Sequence, residues 1–285
     1  MPAQDLLTPV VRVAARPRPG RKVSQDRHLV LPHAVVVLDG ATDPAEPAGR
    51  DGGWYAERLG TALATTLTPG RPPAEAVHDA IGAVTTAHGL VAGSSPSSTV
   101  AIAAWDGDTV HGYVLGDSVI AVRTETGAVD ILTDQRLTRV GKAVRDRMRD
   151  RLVAGAGYDR LHEALVHDLI TIERSHRNRP GGYPIAEAVP SVAHQGHHRT
   201  WRHVQVAALL TDGASSAVDR YGMYSSWAAA LEQLDRTGPD NFVDAVELAD
   251  LADPHGQRFP RSKVGDDKTA VVMDFRLSAK ERLIR

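Results

Sequence analysis

Short runs of valine, leucine and isoleucine recur along this chain, and four of them end on an aspartate. They are VVVL-Asp39-Gly40, HGYVLG-Asp117-Ser118, VAALLT-Asp212-Gly213 and KVG-Asp266-Asp267, the last leading directly into TAVVM. Runs of this length and branching read as buried strands, so the carboxylates belong where strands emerge from a core. If those ends converge, the result is a cage of hard oxygen ligands. Two carboxylates about 4 Å apart repel by roughly 4 kcal/mol at an effective dielectric near 20, and no lysine or arginine is expected beside any of the four. A divalent cation is the natural compensation, and oxygen-only ligation suits Mg²⁺ or Mn²⁺.

Asp-Gly is also a common hairpin signal, and aspartate favours turns through local hydrogen bonds. The chain supplies a control. Asp106-Gly107-Asp108 separates VAIAAW from TVHGYVL by three residues, the spacing of a hairpin. Asp39-Gly40 and Asp212-Gly213 are instead trailed by small and polar residues, ATDPAEPAG and ASSAVDRYG, and are poor hairpins. They are better sites.

At 285 residues with 42% hydrophobic and 24% charged side chains, the chain reads as one globular domain with ample core. Its net charge of −2 and pI near 6.7 provide no global field for nucleic acid or anionic membrane. There is no cysteine, which excludes disulfides, a thiolate nucleophile and Cys-ligated zinc. The opening MPAQDLLTPVVRVAARPRPGRK lacks a signal-peptide core, and no stretch approaches the length of a membrane span, so a cytoplasmic protein is expected. Arginine far outnumbers lysine and alanine is abundant, a composition suggestive of a GC-rich bacterial genome.

LVLPHAVVVLDG reads as two strands. Trp54, Leu59, Leu63 and Leu67 fall on one face of a helix that Asp51 can cap, and a second helix fits 73–89. Strands at 99–105, 109–115, 118–123 and 128–132 have the spacing of an antiparallel meander. The segment from Gln135 to about Glu173 is charged and helical, with a break near Gly155–Gly157, and 174–200 is loop-like. A strand at 203–211, helices at 224–236 and 239–252, and a strand at 269–275 complete an α+β pattern. The arginines between Arg136 and Arg151 alternate with Asp146 and Asp150 and read as a solvated helix face. His194, His197, His198 and His203 form the one dense histidine cluster, read as a solvated loop with zinc as the alternative. Ser118 and Ser215 are turn or cap residues, as are Asp43, Asp51 and Asp134.

Taken in order, Arg21-x-x-x-Gln25-Asp26, VVVL-Asp39-Gly40, Ser98-Thr99, Gly116-Asp117-Ser118, Leu210-Thr211-Asp212-Gly213 and Asp266-Asp267-Lys268-Thr269 resemble the metal-dependent protein phosphatases of the protein phosphatase 2C type. The resemblance spans about 18 to 275. It implies an αββα sandwich, two antiparallel sheets flanked by helices, with a variable flap insert at 135–200. It also implies that Asp39 bridges two metal ions, that Gly40 offers its carbonyl, and that Asp212 and Asp266 complete the pair. Asp117, with Asp212, would hold a third ion, and Arg21 would grip the substrate phosphate. Three positions depart from the family pattern. Ala41-Thr42 follow Asp39-Gly40 where His-Gly or Met-Gly is usual, Gln25 stands where an acid is commoner, and Asp267 replaces an asparagine, leaving open which of Asp266 and Asp267 ligates.

What the resemblance implies is a Mg²⁺- or Mn²⁺-dependent phosphatase for phosphoserine and phosphothreonine in proteins, partnered by a serine/threonine kinase. Two metals about 3.5–4 Å apart supply the nucleophilic water, which accords with the absence of a Gly-x-Ser-x-Gly elbow, a P-loop and His-Glu-x-x-His. A small-molecule phosphatase is the alternative within enzymes. A pseudophosphatase or phosphoprotein-binding regulatory module is the alternative outside them.

Overall fold

The computed structural model describes residues 8–41 and 49–276; Asp43 lies outside them. In chain order the strands are β1 Val10–Arg16, β2 Arg27–Leu31, β3 Ala34–Leu38, β4 Val100–Asp106, β5 Thr109–Leu115, β6 Val119–Thr124, β7 Val129–Leu132, β8 His197–Arg202, β9 Val204–Leu210 and β10 Lys268–Asp274. The helices are α1 Gly52–Thr66, α2 Pro73–His88, α3 Arg136–Arg139, α4 Lys142–Val153, α5 Arg160–His176, α6 Asp212–Asp219 and α7 Trp227–Ala252. Among the described residues the strands form two five-stranded sheets, ordered β1-β10-β9-β6-β7 and β2-β3-β4-β5-β8, with every neighbouring pair antiparallel.

Four layers result, because strand alternation gives each sheet two apolar faces. Val35, Val37, Ala101, Ala103 and Val114 of one sheet meet Ile120, Val122, Ala207, Leu209, Val271 and Met273 of the other. On the outer face of the first sheet, Val206, Ala208, Leu210, Ala270 and Val272 pack under α6 and α7. Val36, Leu38, Ile102 and Tyr113 pack under α1 and α2 on the other side. The expected αββα sandwich is therefore the observed architecture. α3, α4 and α5 stand apart with small apolar clusters of their own, including Met148, Leu165 and Leu169.

The sheets also correct the expected meander. β4 pairs with β5 and β6 with β7, but in different sheets; the chain crosses between layers at Gly116-Asp117-Ser118. Two strands were not expected from sequence: β1, VVRVAAR, which pairs with the far end of the chain, and β8, HHRTWR, an edge strand inside the segment read as loop. The break between 236 and 239 is real. α7 is interrupted at Gly238, whose φ of 85° is left-handed, followed by Pro239.

Candidate metal centre at the sheet ends

Asp39 leaves the last residue of β3 and its carbonyl accepts the Thr99 amide at 2.9 Å. Gly40 then bridges to Ser98, and α1 begins hard against this turn. A Cβ on Gly40 would lie 2.4 Å from the Gly52 carbonyl carbon, and one on Gly52 would lie 2.2 Å from the Ala41 oxygen. Only two glycines let strand end and helix start touch backbone to backbone. Asp51 caps α1 through the Trp54 amide at 3.0 Å, as expected, and Gln25 Nε2 donates to Asp51 Oδ2 at 3.0 Å. The glutamine that departs from the family pattern thus braces the helix cap.

Asp212 opens α6 directly after β9. The preceding Thr211 hydroxyl accepts the Thr269 amide and donates to Asp26 Oδ2, both at 3.0 Å, tying β9, β10 and the β1–β2 loop together. A Cβ on Gly213 would sit 1.9 Å from the Asp267 carbonyl oxygen. The glycine after each aspartate is therefore set by close backbone approach. Asp106-Gly107-Asp108, by contrast, is the expected hairpin, with Asp106 paired to Thr109 and Gly107 at φ 58°.

Asp266 and Asp267 point to different tasks. Asp267 accepts the Arg18 amide at 2.7 Å and the Gln25 amide at 3.0 Å, so it holds the β1–β2 loop. Asp266 Oδ1 takes the Asp267 amide at 2.9 Å and the Lys263 ammonium at 2.6 Å. The expectation that no cation stands beside the four carboxylates is wrong. Lys263 lies three residues before Asp266, on a loop that turns back into the site; Lys268, nearer in sequence, meets Asp250 and the Asp266 backbone carbonyl in place of the Asp266 carboxylate. Asp117 lies at the crossover, where Thr133 Oγ1 donates to its carbonyl at 3.2 Å and Ser118 bonds Thr99 Oγ1 at 2.7 Å.

Burial and mutual repulsion dominate the electrostatics. Burial pushes Asp39 well above the usual carboxylate range, and the charges of Asp26, Asp212 and Asp266 add to it. Asp212 is raised by burial and by Asp266, against the pull of Lys263, Arg220 and a hydrogen bond shared with Asp39. Burial and the Asp212 charge bring Asp117 to about 7. Burial brings Asp26 to about 8, with Asp267 and Asp266 adding and the Thr269 and Thr211 hydroxyls subtracting. Asp26 Oδ1 and the Thr269 hydroxyl are both buried and approach one another without completing a well-formed hydrogen bond. Burial and like charge favour the neutral form of such carboxyls, and a bound cation favours the ionised one.

The donor set fits a hard dication: oxygen-only, desolvated, self-repelling, with one orphaned buried oxygen. Among the described residues no three acidic, imidazole or thiol side chains stand close enough together to hold a metal ion as they are placed. Asp39, Asp212 and Asp266 lie near enough for their charges to act on one another, and Asp117 feels that of Asp212. Arg21 stands at the rim, exposed, on a 250 Å³ cleft it shares with Arg18 and Lys263.

Sequence reasoning missed Asp26, quoted in a motif but given no role, and Lys263, whose i,i+3 spacing to Asp266 was the available signal. It also missed Glu173. That residue pairs with Arg145 across α4 and α5, and its pKa is raised by burial, by less than it would be without Arg145, and by the Asp212 charge; the flap helices thus reach the site. The histidines do not converge: His194 faces Glu75, His197 faces Asp134 and His203 faces Asp108, each across 3.8–4.0 Å. The arginines of α3 and α4 are largely ion-paired, Arg136 to Asp134, Arg149 to Asp146 and Arg151 to Asp159. No helix among the described residues is long and apolar enough to cross a membrane.

A family model described as protein phosphatase 2C matches residues 21–250. No curated protein matches the chain. Among solved structures, PppA, a key regulatory component of the T6SS in Pseudomonas aeruginosa, aligns over 94% of this chain and 97% of its own at 16% identity and a TM-score of 0.55. The serine/threonine phosphatase PstP/Ppp of Mycobacterium tuberculosis covers 94% and 98% at 17% identity and 0.54. The PPM Ser-Thr phosphatase MsPP of Mycobacterium smegmatis, in complex with cacodylate, covers 93% and 97% at 17% and 0.53. At these identities the likeness is one of fold.

Proposed function

Because the chain belongs to the protein phosphatase 2C family, we propose that its cage is the centre of a Mg²⁺- or Mn²⁺-dependent phosphatase for phosphoserine and phosphothreonine in proteins. The observation that carries this reading is the placement of Asp39, Asp212 and Asp266 at the ends of three strands, near enough for their charges to act on one another, with Asp39 and Asp212 pushed up by burial. Asp39, the Gly40 carbonyl, Asp212 and Asp266 would hold two ions, and Asp117 with Asp212 a third. When bound, the ions supply an acidified water as nucleophile and neutralise charge at the phosphoryl group.

The remaining chemistry belongs to side chains. Arg21 grips two phosphoryl oxygens with its planar fork and turns the phosphorus toward the cage. Burial and neighbouring charge favour the neutral form of Asp39 and Asp212, so metal held by them would displace protons. The ion pair of Arg145 and Glu173 lies near enough to Asp117 for both of its charges to act on that carboxyl. A serine/threonine kinase would write the phosphate that this protein removes, in the cytoplasm.

A second reading, a regulatory module without turnover, is favoured by one observation: Lys263 on Asp266. Phosphate release from a phosphothreonine peptide and from an aryl phosphate, titrated with Mn²⁺ and Mg²⁺, decides between them. Metal-dependent release from the peptide supports the enzyme; thermal stabilisation by metal with no release from either substrate refutes it.

A further inference from the structure

Lys263 enters the cage from a fixed base. Its own carbonyl accepts the Tyr158 hydroxyl at 3.3 Å, the Ser262 carbonyl pairs with His162 Nε2 at 2.9 Å, and the Val264 carbonyl accepts Arg261 Nε at 2.9 Å. Arg261 is itself buried and anchored by Asp253 at 2.9 Å. The loop is thus gripped by α5 on one side and by the end of α7 on the other. The lysine side chain, by contrast, is 33% exposed and borders the cleft that holds Arg18 and Arg21, so it has a way out to solvent.

We propose that Lys263 is a tethered counter-ion of the metal centre: its ammonium fills the cation position at Asp266 and must leave before a second divalent ion can enter. The proposal rests on the cage being a metal site, as argued above. Charge decides the order of events. Asp39, Asp117, Asp212 and Asp266 carry four negative charges when ionised, which two dications balance without the ammonium. A second dication beside the ammonium would be in excess, and the flexible four-carbon stem lets lysine be the group that yields. Ion loading then proceeds in two separated steps, the first with Lys263 in place and the second by its expulsion toward Arg21. Any activity that needs both ions becomes a steep function of free divalent cation, set by a residue of the chain itself.

The test is Mn²⁺ binding to the full chain, read by calorimetry and by electron paramagnetic resonance of free Mn²⁺, on the wild type, Lys263→Met and Lys263→Arg. Removing a unit charge a few ångströms from the incoming ion should tighten the second Mn²⁺ by about tenfold or more, with a smaller change in the first, and Lys263→Arg should behave as wild type. Unchanged or weaker second binding in Lys263→Met overturns the proposal. So does a variant that changes only the KM for phosphopeptide, which would make Lys263 a phosphate-gripping residue. Should Lys263→Met fail to fold, Lys263→Gln carries the same expectation. Phosphopeptide hydrolysis measured in parallel separates the two claims. Tighter second binding without turnover in any variant sustains the counter-ion and sinks the phosphatase; turnover with unaltered binding does the reverse; no Mn²⁺ bound by any variant sinks both.

Discussion

Beneath the Asp266-Asp267 turn, Lys268 and Asp250 form an ion pair at 2.7 Å in which each side chain is 1% exposed. Lys268 Nζ also donates to the Asp266 carbonyl at 2.8 Å, so the pair fixes the backbone of a proposed ligand. Lys268→Met keeps the volume and removes the charge. Stripping one partner from a buried pair costs about 3–5 kcal/mol because the other charge is left uncompensated. Asp250 retains the Tyr221 hydroxyl and Arg261 at 3.5 Å, which places the loss near the lower bound, about 3 kcal/mol. With an unfolding entropy of about 0.6 kcal/mol/K for a chain of this length, metal-free Tm should fall by about 5 °C. Replacing both groups, Lys268→Met with Asp250→Asn, should cost clearly less than the sum of the single changes. Calorimetric melts of the four proteins in chelator give both numbers. A single-variant shift under 1 °C, or strict additivity in the double, would refute the coupling.

Three further outcomes are expected. Asp39→Asn should abolish Mn²⁺-dependent hydrolysis and the thermal response to Mn²⁺, yet raise the metal-free Tm, because it removes a desolvated carboxylate repelled by its neighbours; activity within tenfold of wild type would count against the ligand assignment. Asp26 at about 8 and Asp117 at about 7 are raised above their unfolded values, so their stabilising contribution is full below about pH 4 and lost as pH rises through 7 and 8. The metal-free protein should lose stability from pH 5 to 8, by up to about 1.4 kcal/mol per pH unit for each group, and saturating Mn²⁺ should flatten the profile; denaturant melts across that range that rise or stay level without metal would contradict this. Gly213→Ala should destabilise by about 3 kcal/mol and weaken Mn²⁺ binding, since its Cβ would collide with the Asp267 carbonyl; a wild-type melt and titration would show that the turn gives way freely.

What the sequence revealed of the site was the part carried by strand ends. Asp39 and Asp212 follow apolar runs whose period and branching cannot be mistaken, and the structure brings both to one point. β1 escaped because two arginines interrupt its seven residues, and its partner is β10, more than 250 positions away. β8 escaped because an edge strand needs no apolar face on its open side, and His197 to Thr200 are exposed. The division of the meander between layers follows from a single crossover whose geometry sits in Gly116, at φ 93° against the Thr99 side chain; no periodicity encodes it. Lys263 was hidden for another reason. Its distance from the carboxylates depends on a loop held by Tyr158, His162 and Arg261, none of which is near in sequence to Asp39 or Asp212.

The pairing of β1 with β10, Val10 opposite Asp274 through Arg16 opposite Lys268, bears on how the chain is made. A ribosome adding about 5–20 residues per second releases the first strand long before the last exists, so β1 waits on the order of tens of seconds for its only ladder. During that interval the α1–α2 sheet can close on its own strands β2 to β5, whereas β9 and β6 lie with one edge open to any passing strand. Arg12 and Arg16 on the waiting strand are charged gatekeepers against that hazard. Synthesis must therefore run to residue 274 before the Asp266 corner exists, and a nascent chain released short of it has half a cage and an unguarded sheet.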